Sequence, residues 1–272
     1  MSHYIQIKFE NISQEQSDLL VAQLNEIGFD GFEEEEKSLK AFIPSNNFDE
    51  NSLRHITTSL QLDFSKTIID ETNWNQVWES NFDPVIVDDF VAIRADFHQP
   101  IKNVRFEIII TPKMSFGTGH HATTYMMMQQ MREIDFTNKT VFDFGTGTGV
   151  LAILAEKSGA KTVLAIDNEN WSIENAGENT KRNNCSVVKL KQAYTAKMDG
   201  RFDIILTNIN KNVILDNLEV LMKQLSKNGL LLLSGLLAED EEEILAKCNE
   251  QGLQILTKAE RYNWLFLKLS RR

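Results

Sequence analysis

The sequence predicts an α/β protein in two parts, a small α+β unit followed by a larger domain built on a mostly parallel sheet. Three observations predict it. From about residue 140, apolar strands alternate with amphipathic helices, the pattern of a parallel sheet with crossover helices. The last two strands, Gln254–Arg261 and Trp264–Leu269, are separated only by Tyr262 and Asn263, which reads as an antiparallel hairpin. The first 70 residues run strand, helix, strand, strand, helix, strand, the order of a ferredoxin-like module.

In the N-terminal unit, Tyr4–Glu10 alternates polar and apolar residues and reads as a strand. Ser13 and Gln16 have capping-box spacing, and Leu19, Leu20, Leu24 and Ile27 follow at helical spacing until Gly28. Phe29–Glu36 and Leu39–Ile43 form a predicted hairpin, Asp49–Leu60 a second helix and Phe64–Ile69 a last strand. The acidic run Glu33–Glu36 reads as a solvated hairpin face. Residues 71–83 read as a linker in which Trp74 and Trp78 share a helical face before Pro84 breaks the pattern, and residues 84–272 as the second domain. Pro84–Val87, Phe90–Ile93 and Val104–Ile110 are short strands leading into that domain. Its main strands are Thr140–Phe144, Thr162–Ile166, Val187–Lys191, Phe202–Thr207 and Gly229–Ser234, with helices predicted over 149–158 and about 172–183.

The composition is that of a globular protein, 42% hydrophobic and 25% charged over 272 residues. No apolar run approaches the roughly 20 residues needed to span a bilayer, and the N-terminus shows no signal core, so a cytoplasmic protein is expected. Cys185 and Cys248 stand apart, outside any CxxC pair, and read as reduced thiols. The net charge of −11 argues against a broad nucleic-acid-binding surface; it serves solubility and suits a basic partner.

The chemistry concentrates at Asp143-Phe-Gly-Thr-Gly-Thr-Gly149, where a strand turns directly into a helix. Glycines there permit positive φ and close approach of a ligand to the backbone, and the helix N-terminus is expected to present free N–H groups. The spacing is G-x-G-x-G; a dehydrogenase turn would carry a third glycine where Val150 stands. Asp167 ends the next strand, 22 residues after Gly145, where a carboxylate can accept hydrogen bonds from both hydroxyls of a ribose. A phosphate-free, cationic cofactor, S-adenosylmethionine, fits this pair better than a dinucleotide.

Several further segments extend the pattern. Ser115-Phe-Gly-Thr-Gly-His-His-Ala-Thr-Thr124, the stretch from Val141 to Ile153, Leu206-Thr-Asn-Ile209, Leu233-Ser-Gly-Leu236 and the stretch from Trp74 to Pro84 resemble signatures of the PrmA family, which methylates the eleventh protein of the large ribosomal subunit. The similarity is strong over about 70–272 and rests mainly on size and element order before that. Ala122 stands where the family usually has Pro, and Thr207 where it has Ala or Val. The resemblance implies a class I S-adenosylmethionine methyltransferase fold, a seven-stranded sheet with a C-terminal antiparallel hairpin. It implies an enzyme that methylates lysine side chains, with the N-terminal amine as a further acceptor. It places Thr124, Gly145, Asp167 and Asn208 against the cofactor, with Phe116, Gly117 and Thr118 over its methionine end. It also implies that the N-terminal unit recognises the ribosomal protein. Gly147 joins the cofactor set from the turn itself.

Asn208 ends the fourth strand of the main sheet, where α/β folds place ligands, and its amide oxygen with the Ile209 carbonyl can orient an amine; its other reading is a helix cap. Adjacent His120 and His121 lack the spacing of a metal site and read as loop-ordering or cofactor-stacking residues, so no metal is expected. Met126, Met127, Met128 and Met131 read as core, and Glu239–Glu243 as the acidic start of a helix. Alternatives are a methyltransferase of another protein, a nucleic acid or a small molecule, and a non-catalytic cofactor-binding, ribosome-associated module. The [DN]-P-P-[YFW] motif of base methylation is absent at Asn208, no direct nucleic-acid binding is expected, and a monomer is.

Overall fold

Apolar alternation becomes a four-stranded antiparallel sheet at the start of the chain. A computed structural model describes residues 4–35, 37–69, 82–111 and 117–271. The chain divides into two compact units, Met1–Asn81 and Phe82–Arg272. In the first, strands β1 (Tyr4–Glu10), β2 (Gly31–Glu35), β3 (Ser38–Pro44) and β4 (Ser65–Ile69) lie in the order β2-β3-β1-β4. Helices α1 (Gln14–Glu26) and α2 (Glu50–Leu60) complete the ferredoxin-like order. The predicted capping box forms: the Ser13 hydroxyl accepts from the Gln16 N–H, and the Gln16 side chain accepts from the Ser13 N–H. Ile5, Ile7 and Phe9, alternate residues of β1, enter one core with Leu20, Leu24, Leu53 and Ile56 from the helices.

The second unit begins with a separate three-stranded sheet of β5 (Val85–Val87), β6 (Val91–Ala95) and β7 (Phe106–Ile110). Its main sheet has seven strands in the order β10-β9-β8-β11-β12-β14-β13. These are β8 (Thr140–Phe144), β9 (Thr162–Asp167), β10 (Val188–Gln192), β11 (Phe202–Asn208), β12 (Leu225–Leu237), β13 (Leu253–Arg261) and β14 (Trp264–Arg271). The first five pair in parallel and β14 runs antiparallel to both neighbours, as the terminal hairpin predicts. Tyr262 and Asn263 both take positive φ, as a tight hairpin turn requires.

The central strands carry apolar residues on both faces because both faces are covered. Val141, Ile204 and Leu206 face one core with helices α3 (Ala122–Met131) and α4 (Val150–Lys157), which includes all four methionines read as core. Phe142, Phe144 and Ile205 face the other, against α6 (Lys211–Gln224) and α7 (Glu241–Glu250). Each fully buried Leu, Ile or Phe there contributes roughly 1.5–3 kcal/mol. Between β9 and β10 runs α5 (Asn170–Arg182).

Sequence and structure differ at element ends. β12 starts at Leu225 rather than at Gly229, running straight on from α6, and α5 starts two residues earlier than expected. Trp74 and Trp78 lie outside the described residues. Both cysteines are free. Among the described residues no helix is long and apolar enough to cross a membrane.

Candidate active site

The chain leaves β8, builds β9 and β10 on one side, then returns to place β11 on the other. The crevice beyond the C-terminal ends of β8 and β11 is therefore the switch point where such sheets bind ligands. A cavity of about 400 Å³ lies there. Gly145, Gly147 and Asp167 line one side and Thr124, Asn208 and Ile209 another, with Gly117, His121 and Trp264 also on the wall.

Gly145, Gly147 and Gly149 all have positive φ, which lets the chain reverse from β8 into α4 within five residues. A Cβ on Gly145 would stand 2.2 Å from Ile209 Cγ2, so the turn packs directly on the end of β11. The N–H groups of the glycine turn itself are largely engaged. The Gly145 and Thr146 N–H groups donate to the Ile166 carbonyl at 3.0 and 2.9 Å, Gly147 N–H to Asp167 Oδ2 at 2.9 Å and Gly149 N–H to the Thr146 carbonyl. With these four donors engaged, the glycine turn itself offers a ligand few N–H groups. It remains suited to a ligand bound through Asp167, whose Oδ1 accepts from Glu169 N–H at 3.1 Å and whose two oxygens retain spare lone pairs.

Beneath the turn, Asp143 is fully buried and accepts from the Thr146 hydroxyl at 2.6 Å. Burial raises its pKa to about 7, the Thr146 hydrogen bond works against that rise, and the nearby Asp167 charge adds to it.

Across the cavity the Asn208 amide N–H donates to Thr124 Oγ1 at 3.1 Å, which fixes the amide's orientation. Asn208 Oδ1 is buried and has no hydrogen-bond partner among the described residues. Asn210, not Asn208, caps α6, its side chain accepting from Val213 N–H at 3.1 Å, so the cap reading of Asn208 is corrected. The Ile209 carbonyl packs so closely on Gly235 that a Cβ there would lie 2.2 Å away.

A buried amide acceptor, a glycine turn whose own N–H groups are largely engaged, and an acidic strand end thus meet at one cavity. The sequence model of the ribosomal protein L11 methyltransferase family (PrmA) matches residues 5–272. The chain belongs to this family. A relative from Porphyromonas gingivalis called ribosomal protein L11 methyltransferase is 38% identical over 262 residues, 93% of this chain and 90% of the relative. One of the same name from Chlorobaculum tepidum is 36% identical over 252 residues, 88% of this chain and 86% of the relative. The crystal structure of a ribosomal protein L11 methylase from Lactobacillus delbrueckii subsp. bulgaricus superposes with a TM-score of 0.66 at 31% identity, covering 70% of this chain and all of that one. The fold is that of the class I S-adenosylmethionine-dependent methyltransferases.

In this member of the PrmA family, seven of the site residues singled out from sequence converge on one cavity: Gly117, Thr124, Gly145, Gly147, Asp167, Asn208 and Ile209. Phe116 lies outside the described residues. Thr118 stands off the cavity wall, its hydroxyl 3.1 Å from His120 Nδ1, while His120 Nε2 lies 2.8 Å from the Asp83 carbonyl. His120 thus orders the loop. His121 is the N-cap of α3, its Nδ1 accepting from Thr123 N–H, and burial lowers its pKa, which keeps that nitrogen an acceptor. Ala122 occupies the first helical position, where the family's usual proline is also at home.

Sequence reasoning missed Trp264 and Trp171. Trp264 opens β14, and the His121 ring meets its indole edge-on at 4.6 Å. Trp171 lies in the first turn of α5 on the cavity rim. Neither had a signal beyond its residue type, because the cavity is assembled from elements more than a hundred residues apart.

Proposed function

We propose that this chain transfers methyl groups from S-adenosylmethionine to amines of ribosomal protein L11, on lysine side chains and on the N-terminal amine. The observation that carries this reading is Asn208: its amide is held by Thr124 at the C-terminal end of β11, and it lines the same cavity as Asp167 with a buried Oδ1 that has no hydrogen-bond partner among the described residues. The cofactor set is Thr124, Gly145, Gly147, Asp167 and Asn208, with Gly117 toward the methionine end.

S-adenosylmethionine supplies an electrophilic methyl group on a positively charged sulfur. Asp167 offers two oxygens to ribose hydroxyls and, as an anion, favours a cationic ligand. Asn208 Oδ1 and the Ile209 carbonyl accept N–H bonds from the incoming amine and aim its lone pair, the alignment on which in-line displacement depends. Holding a lysine neutral at pH 7 costs about 4–5 kcal/mol from its free pKa of about 10.4. The apolar walls of Val150, Leu151, Ile209 and Trp264 reduce that cost by desolvating the ammonium. No side-chain base is required, and the catalytic residues are Asn208 and Ile209.

The same reading assigns residues 1–70 to recognition of L11, residues 71–83 to a linker and residues 84–272 to catalysis. It has the enzyme act as a monomer in the cytoplasm, on protein rather than nucleic acid; the net charge of −11 supports a basic partner. Incubation with methyl-labelled cofactor and the separated components of the large ribosomal subunit tests it. Label on L11 is the expected result. Label on RNA or on another protein, or cofactor binding without transfer, would overturn it.

A further inference from the structure

The glycine turn carries a side chain whose role lies outside the cofactor set. Thr148 is fully buried, and its hydroxyl donates to the Gly117 carbonyl at 2.7 Å. The Thr148 carbonyl accepts from Asn179 Nδ2 at 2.8 Å, and Asn179 Oδ1 accepts from the Thr111 N–H at 2.7 Å. Asn179 is itself fully buried, on the face of α5 that also sends Asn183 to β7, where Asn183 Oδ1 accepts from Ile109 N–H and Asn183 Nδ2 donates to the Ile109 carbonyl. Thr111 and Gly117, six positions apart in the chain, are thereby tied to one point on the cofactor turn. The approach is close: a Cβ on Gly117, whose φ is +101°, would stand 3.0 Å from Thr148 Oγ1.

Gly117 lines the cavity, and so does Thr148. Gly117 also begins the run in which Thr118 and His120 hold each other and His120 reaches the Asp83 carbonyl. We propose that Thr148 is a positioning residue for methyl transfer: its hydroxyl sets the Gly117 backbone against the glycine turn, and Asn179 holds Thr148 in place to do so. A buried hydroxyl donating to a loop carbonyl exchanges a loosely solvated peptide for one with a fixed partner, so the loop wall is set before ligand arrives. Removing the hydroxyl leaves the fold's packing intact and frees the wall.

The proposal rests on the cofactor reading above, and its test separates the two. Thr148→Val keeps volume and removes the donor; Thr148→Ser keeps the donor. Amide hydrogen exchange of the ligand-free protein is expected to rise about tenfold at Gly117–His120 in Thr148→Val, with β8 and β11 unchanged, and to return to the wild-type rate in Thr148→Ser. Calorimetry with S-adenosylhomocysteine is expected to show about tenfold weaker binding for Thr148→Val alone. If the valine variant does not fold, Thr148→Ala, which adds no bulk, gives the same readings. Wild-type exchange in the variant lacking the hydroxyl, a serine variant that behaves like valine, or exchange raised across the whole domain would overturn the proposal. Failure of the wild-type chain to bind S-adenosylhomocysteine would overturn the cofactor reading instead, and the exchange contrast would still decide what Thr148 does.

Discussion

At Asn208 two sides of one amide have different fates: the N–H₂ is committed to Thr124 and the oxygen is left without a partner in a buried site. Leaving a buried acceptor unpaired costs free energy, which in the proposed mechanism a substrate N–H recovers. Asn208→Ala is therefore expected to slow methyl transfer about 100-fold through lost alignment while S-adenosylhomocysteine binding, read by calorimetry, weakens far less. Equal losses in both would assign Asn208 to cofactor binding alone. Asp143 gives a pH prediction. Its pKa is about 7 when folded, against an ordinary carboxylate value of 3.8, so the folded protein retains a proton that the unfolded chain releases. The resulting stability is fully present below the unfolded value and is lost as pH rises through about 7. Melting temperatures of wild type and Asp143→Asn, measured from pH 5 to 8, should diverge in favour of the variant as pH rises; a constant gap would show that Asp143 does not titrate this way. Residue type and position in the motif made Asn208, Asp167 and the glycines legible in the sequence. Trp264 and the use of Thr148 were not legible, because each acquires its role from a neighbour far away in the chain.

At the scale of elements, the turn from β8 to α4 does more than bind. Its N–H groups close on Ile166 and Asp167 and so lock β8, β9 and α4 into one rigid corner. Gly145→Ala would put a Cβ on a residue with φ of +82°, 2.2 Å from Ile209 Cγ2. A loss of roughly 1–3 kcal/mol in stability is expected from the strained φ alone, read by chemical denaturation, with cofactor binding lost further because Ile209 must move. Unchanged binding would mean that the corner tolerates displacement. Element types were readable because apolar alternation, glycine breaks and the Ser13 capping box are local signals. The ends of β12 and α5 were not, since strand pairing extends β12 back to Leu225 and that pairing is a tertiary event. The bond from Gly147 N–H to Asp167 was hidden for the same reason, since it joins residues twenty positions apart.

The whole molecule joins a unit with its own core, the ferredoxin-like fold, to a methyltransferase unit with cores on both faces of its sheet. The order of elements predicted both architectures, since a strand–helix alternation leaves few alternatives to a parallel sheet. If the first unit recognises the substrate, residues 82–272 alone should bind S-adenosylhomocysteine as the full chain does and raise KM for L11 about 100-fold or more, the cost of losing a tethered second contact. An unchanged KM would remove recognition from the first unit. The central claim, that this enzyme methylates ribosomal protein L11, is tested most directly by intact-mass spectrometry of L11 from cells with and without it. The account predicts L11 heavier by whole multiples of a methyl group only where the enzyme is present; identical L11 masses from both cells would contradict it.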